Sequence, residues 1–170
     1  MAGVSMRTDQ DRLQTAQWVL ERNLAWIAAA EVKIGVIVAI DTAMLGGVGA
    51  AFSAADAITR THCAWIVTGM AVLALGAGLL CAALSILPRV HGPIKSLVFF
   101  GRIGACIDVE YAQNFKNATD ADLLEDWIAQ IHRNAQIACE KFGWVRRSMW
   151  WSFLAVLPWF AAIVMLLNKK

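Results

Sequence analysis

One carboxylate, Asp41, stands near the middle of an almost unbroken apolar run, KIGVIVAIDTAMLGGVGAAF, at residues 33–52. An acid at that depth can attract cations along a water-filled path, accept hydrogen bonds from nearby hydroxyls, or serve as a general acid–base. The last use needs a second positioned group, and no other carboxylate, histidine or lysine falls at the same depth. The chain also has no P-loop, no G-x-S-x-G, no H-E-x-x-H and no glycine-rich dinucleotide turn. We therefore expect no enzyme and no catalytic residues.

Metal chemistry is equally absent from the pattern. Cys63, Cys81, Cys106 and Cys139 are scattered, with no C-x-x-C pair and no alternation with His62, His91 or His132. Neither a zinc site nor a disulfide framework is expected, and no cofactor; the thiols are read as small buried hydrophobes. The formal net charge is +2, spread along the chain, which excludes the basic footprint of a nucleic-acid binder.

The chain has 170 residues, of which 59% are hydrophobic, against roughly 45–50% apolar in soluble domains. That excess points to a lipid bilayer as a partner. Three runs reach the roughly 20 apolar residues that a hydrocarbon core requires: 34–55, 64–87 and 149–167, the last interrupted by Pro158. An Asp at mid-span costs about 2.5–3.5 kcal/mol on insertion scales, and each Ile, Val, Leu or Phe returns roughly 0.3–0.6. Insertion of the first run is thus marginal, and the helix needs partners. Arg7, Asp9, Asp11, Arg12, Glu21 and Arg22 do not suit a signal peptide, so this run is expected to be an uncleaved anchor.

Basic residues fix the expected orientation. Arg7, Arg12, Arg22 and Lys33 precede the first span, and Arg89, Lys95, Arg102, Lys116, Arg133, Lys141, Arg146 and Arg147 lie between the second and third. The first loop holds Arg60, so the N-terminus and the long central region are expected in the cytoplasm, with Lys169 and Lys170 outside. Trp26, Trp65, Trp150 and Trp151 fall near span ends, where indole rings favour the headgroup layer.

Residues 8–33 lack Gly and Pro and carry Leu13, Leu20, Leu24, Ile27 and Ile34 at helical spacing, which predicts a helix running straight into the first span. Pro88, Gly92 and Pro93 break the chain, and a helix is predicted over 94–115, with the short apolar patch at 96–107 buried or interfacial. Thr119 is the expected N-cap of the next helix, with Asp120, Asp122, Glu125 and Asp126 favoured by its dipole. Ile128, Ile131, Ala135, Ala138, Phe142, Val145 and Met149 alternate by three and four, predicting a packed seam on one helix continuous to residue 167. The fold class is an all-α membrane protein with three transmembrane helices and a cytoplasmic helical bundle. Its segments are an N-terminal helix (1–33), two spans (34–87), a cytoplasmic sensor region (88–147) and a third span with its tail (148–170).

Gly35, Ala39, Ala43, Gly47 and Ala51 recur every fourth residue and form a ridge suited to close backbone approach. Asp41 points about 180° away, on the face of Ile34, Ile37, Val38, Met44, Leu45 and Val48. If the ridge packs on Ala74, Gly78 and Ala82 of the second span, the acid faces another subunit or a water path. The alternative is a protonated Asp41, or one bonded to Thr42 or to a Ser of the third span.

The segments NLAWIAAAEVK (23–33), SILPRV (85–90), SLVFFGRI (96–103), Tyr111 and LLEDWIAQIHRNAQIACEKFGWVRRSMWW (123–151) resemble the membrane effectors of the bacterial Pycsar antiphage system. Ile131, Ile137, Ala138 and Lys141 carry part of that likeness, and Glu31 stands where the family is expected to have Asp. The resemblance implies a companion nucleotide cyclase, a cyclic pyrimidine second messenger (cyclic CMP or cyclic UMP), damage to the inner membrane and abortive infection; a homo-oligomer is expected from the facing of Asp41. A ligand with one phosphate charge and an aromatic base wants an Arg fork and a stacking ring. Arg89, Arg102 and Arg133, with Phe99, Phe100, Tyr111 and Trp127, offer both. Headgroup anchoring, ion pairs within the bundle and core packing are the competing explanations for the same residues. A second function, an oligomeric membrane adaptor with no pore, also stands.

Overall fold

The computed structural model describes residues 8–89, 92, 93 and 96–168. Arg7, His91, Lys95, Lys169, Lys170 and the expected helix start at 94 lie outside them. The protein is all-α, with no strand among the described residues. Its helices are α1 (Asp9–Ala54), α2 (His62–Ile86), α3 (Phe100–Ile103), α4 (Asp108–Asn117) and α5 (Asp120–Leu167). Three of them, α1, α2 and α5, are long and apolar enough to cross a membrane.

Both long helices start at the same device. At α5, Thr119 N and Oγ1 donate to Asp122 Oδ2, and Asp122 N donates back to Thr119 Oγ1. At α1, Thr8 and Asp11 repeat the pattern. In each, a T-x-x-D box satisfies amide donors that the first helical turn leaves without partners. The expected N-cap at Thr119 is present; Thr8 is a cap that the reading of the sequence missed. At about 1.5 Å per residue, the 46 residues of α1 and the 48 of α5 span about 69 and 72 Å. Each runs unbroken from a charged segment into an apolar one, and Pro158 does not end α5. Helix α2 is capped by Thr61, whose side chain accepts from Ala64 N, and ends before Pro88, which disfavours helical backbone in the residue ahead of it.

The single helix expected over 94–115 is instead the short α3 and the separate α4. The amides at 97–99 are taken by side chains: Leu97 N and Val98 N donate to Asp126 Oδ2, and Val98 N and Phe99 N donate to Ser96 Oγ. These side chains hold residues 97–99 outside a helical ladder, and α3 begins at Phe100. The Phe99 ring fills the space beside Gly92 and Gly101, where an added β-carbon would lie 2.6 and 2.7 Å from it.

The chain divides into two compact units, Met1–Ala28 with Pro88–Cys139, and Ala29–Leu87 with Glu140–Lys170. In the second unit, one buried cluster joins Ala30, Ile34, Ala82 and Val145, and another joins Ala51, Ala55, Ala64 and Leu166. Alanine supplies two of the four residues in the first cluster and three of the four in the second, small side chains that let helices approach closely in lipid. Large residues such as Leu73, Leu80, Phe153, Leu157 and Phe160 point outward.

Two packing expectations are corrected. The ridge meets α2 at its far end alone: Ala51 is buried in one cluster with Ala64 of α2, whereas Gly35, Ala39 and Ala43 are exposed and Gly47 is half-buried beside the Trp159 ring. The face of Ile34, Asp41 and Val48 is the buried one. On α5 the interior is marked by Asp126, Gln130, Ala138, Lys141, Val145 and Ser148, whereas Ile128 and Met149 of the expected seam are exposed. In an apolar helix every face looks like a core face, so polar residues mark the interior better than apolar ones. The cysteines also differ from expectation: Cys63 and Cys139 are exposed, and Cys81 and Cys106 are half-buried.

Candidate functional site

Between the two apolar clusters, the second unit holds a polar layer. Asp41 is fully buried. Ser152 Oγ donates to Asp41 Oδ2 at 2.9 Å and also lies 3.0 Å from Ser148 O, so its one proton is shared. Ser148 Oγ donates to Gly78 O at 2.8 Å. A β-carbon on Gly78 would lie 2.8 Å from Asp41 Oδ2, so the carboxylate occupies space that only glycine leaves. Asp41 Oδ1 is buried without a partner. Asp41 also lines a groove of about 510 Å³ whose other walls include Val36, Ile37, Ile40, Phe153 and Val156. Farther along, Trp159 Nε1 donates to Met44 O at 2.8 Å.

A charged pair lies in the same unit. Lys141 Nζ reaches Glu31 Oε1 at 2.7 Å; the lysine side chain is 7% exposed and the glutamate 57%. Lys33 sits 5.2 Å from the centre of the Phe142 ring, and Arg147 sits 4.5 Å from that of Trp144. Exposed Trp150 and Trp151 follow on α5.

The first unit holds a cavity of about 550 Å³. Ser96 and Leu97, Arg102 of α3, Cys106, Tyr111 and Asn114 of α4, and Asp122, Glu125, Asp126 and Ala129 of α5 form its wall. Tyr111 Oη donates to Leu97 O at 3.0 Å, which holds the ring in place. Ser96 Oγ accepts from Gln130 Nε2 at 3.0 Å, tying the loop to α5. Asp126 is 8% exposed; Oδ2 takes two amides and Oδ1 has no partner. Asp122 ionises more readily than an ordinary aspartate because the Thr119 hydroxyl and amide both donate to it. One guanidinium, an aromatic ring, an amide and three carboxylates thus line one space.

Of the residues expected to form a ligand site, Arg102 and Tyr111 are brought together at this cavity. Arg89, Trp127 and Arg133 lie in the same unit outside its wall, and Arg133 Nη1 donates to Gln136 Oε1 at 3.3 Å. The carboxylates of α5 were missed as site residues because their positions after Thr119 also explain them as dipole partners. No signal in the sequence joins Asp126 to the 97–98 amides. Among the described residues, no group of three or more His, Cys, Asp or Glu is placed to hold a metal ion.

Comparison with known proteins decides the family. The Pycsar effector protein domain matches residues 15–168. The chain belongs to the Pycsar effector family. A Pycsar effector protein from Propioniciclava tarda, PtPycTM, is 26% identical over 151 residues, which cover 84% of this chain and 74% of that one. No solved structure matches the chain. The family is a transmembrane one, in keeping with the three membrane-length helices, and this Pycsar effector is a membrane protein. Glu31 and Lys141, both in segments that carry the resemblance, are the two partners of the ion pair.

Proposed function

We propose that this chain is a membrane effector of bacterial antiphage defence, activated by a cyclic pyrimidine nucleotide. The nucleotide, cyclic CMP or cyclic UMP, is made by a companion cyclase on infection. Binding in the first unit rearranges the spans of a homo-oligomer and impairs the inner membrane, which stops growth before phage mature. The N-terminus and the nucleotide cavity face the cytoplasm, as the distribution of Lys and Arg favours.

The observation that carries this reading is the polar cavity where Arg102 and Tyr111 line one space. Arg102 supplies a planar fork for the phosphate, and Tyr111 a ring for the base. A ligand acts only if it favours one arrangement over the other. Helix α5 gives that preference a route, because it carries Asp122, Glu125 and Asp126 near its start and Ser148 and Ser152 within its apolar half. Asp41, held by Ser152 in the resting state, is the acid that an opened path exposes to cations. The outward ridge of Gly35, Ala39 and Ala43 is the face on which copies pack.

The test is co-expression in bacteria with an active or an inactive pyrimidine nucleotide cyclase. Growth arrest with entry of a membrane-impermeant dye, seen with the active cyclase alone, is the expected result. Arrest that ignores cyclase activity, or arrest without dye entry, overturns the reading and favours a pore-free adaptor.

A further inference from the structure

We propose that the groove between α1 and α5 binds one anionic phospholipid, its phosphate held at the mouth by Lys33 and Arg146 and one acyl tail lying along the groove over Asp41. The inference needs only that the two helices cross a bilayer, and it stands apart from the nucleotide reading.

The groove, of about 510 Å³, has one wall from α1, with Lys33, Val36, Ile40 and Met44, and one from α5, with Met149, Phe153 and Val156. Val36, Ile40 and Phe153 are each more than half exposed, so the groove opens to the lipid side of the helices. Between Lys33 and Met44, α1 rises by about 16 Å at 1.5 Å per residue. That is about half of a hydrocarbon core of about 30 Å, the depth one lipid tail reaches.

The walls suit a tail better than a helix. Close approach of a second helix uses small residues, and on α1 these stand on another stripe, at Gly35, Ala39 and Ala43. The groove instead presents branched, thioether and aromatic side chains, between which a flexible chain fits.

Charge at the mouth selects the headgroup. Lys33 lines the groove, with its ammonium 5.2 Å from the centre of the Phe142 ring. Arg146 is exposed and stands three residues before Met149 and seven before Phe153, hence on the same stripe of α5. The Glu31–Lys141 and Asp41–Ser152 contacts show that α1 and α5 run in parallel, and helical side chains lean toward the N-terminus. The guanidinium therefore reaches back toward the level of Lys33. Neither cation has a carboxylate partner among the described residues. The acids in the same stretches are Glu31, which Lys141 engages, and Glu140, so Lys33, Arg146 and Arg147 leave the mouth net positive. Basic pockets between membrane helices attract anionic headgroups. A tail in this groove also covers the wall in which Asp41 is buried, and water does not reach the acid from that side.

The experiment is photocrosslinking of the full chain in detergent micelles with two phospholipid probes that share one diazirine-bearing tail. One carries a phosphoglycerol headgroup and the other phosphocholine; labelled positions are mapped by mass spectrometry. Leu73 and Leu80, exposed on α2, report lipid that merely surrounds the protein. The phosphoglycerol probe is expected to label Ile40, Met44, Phe153 or Val156 more than the phosphocholine probe by about tenfold, given two cations at the mouth, and to label α2 equally. Lys33→Gln with Arg146→Gln should remove the preference; both side chains are exposed, and the unfolding temperature checks that the fold is kept. Ile40→Trp, which fills the groove, should lower labelling there and spare α2. Equal labelling of the groove by both probes, or a preference that survives in the double variant, overturns the inference. So does a groove that takes no label, including one where these positions crosslink to a second copy of the chain.

Discussion

Asp41 Oδ2 lies 2.8 Å from the point where a β-carbon on Gly78 would stand, so the acid of one membrane helix is seated in a gap on another. Ser152 Oγ and Ser148 O lie 3.4 and 3.6 Å from the same point, and the layer closes around it. Gly78→Ala is expected to destabilise the protein by about 1–3 kcal/mol, the usual cost of overpacking. Asp41→Ala should remove most of that penalty, because the clashing atoms are gone. Thermal unfolding of the two single variants and the double variant in detergent checks the coupling; strictly additive effects contradict it.

Two hydrogen bonds in the second unit should differ in weight. Ser152→Ala leaves the buried Asp41 with no donor on either oxygen, and a loss of about 1–3 kcal/mol is expected. Trp159→Phe removes a bond to Met44 O, a carbonyl on α1 that retains its place in the helix ladder, and about 0.6 kcal/mol is expected. Unfolding measurements that rank the tryptophan variant as the more damaged contradict this assignment.

The Glu31–Lys141 pair is asymmetric, since the lysine is buried and the glutamate is half in solvent. Glu31→Gln strands a buried ammonium group and should cost about 1–3 kcal/mol. Lys141→Met removes that charge, keeps the length of the side chain and leaves Glu31 to solvent, so under about 1 kcal/mol is expected. Comparing the two melting temperatures is sufficient. Equal losses indicate that the pair behaves as an exposed one.

The first turn of α5 should depend on pH through Asp122. Its carboxyl ionises below the ordinary value because Thr119 donates to the charged form, so a folded pKa lower than the unfolded one is the case at hand. The stabilisation is then complete above the unfolded value of about 3.9 and is lost as pH falls through the lower folded value. Hydrogen exchange at the amides of Thr119 and Asp122 should lose protection over that acid interval. Asp122→Asn should flatten the profile, and a variant with an unchanged profile rules Asp122 out as the cause.

Long elements were legible in the sequence where nothing interrupts them. Residues 8–33 contain no breaker and continue as α1, and Thr119 announces α5. The inner faces were not legible, because Ile34 and Ile40 are equally apolar while one is buried and the other exposed. The small-residue ridge suggested close packing, yet the gap at Gly78 is used by a carboxylate instead. For the candidate site, residue type was enough to single out Arg102 and Tyr111. Grouping them with Asp126 depends on amides at 97 and 98 that meet its side chain only in the folded chain.

The central claim, that a cyclic pyrimidine nucleotide turns this chain against the membrane, is tested most directly by dye release from vesicles carrying the purified protein. Release on addition of cyclic CMP or cyclic UMP, reduced in Arg102→Ala and in Asp41→Leu, is the predicted result. Vesicles that stay sealed with either nucleotide, or leak equally without one, contradict it.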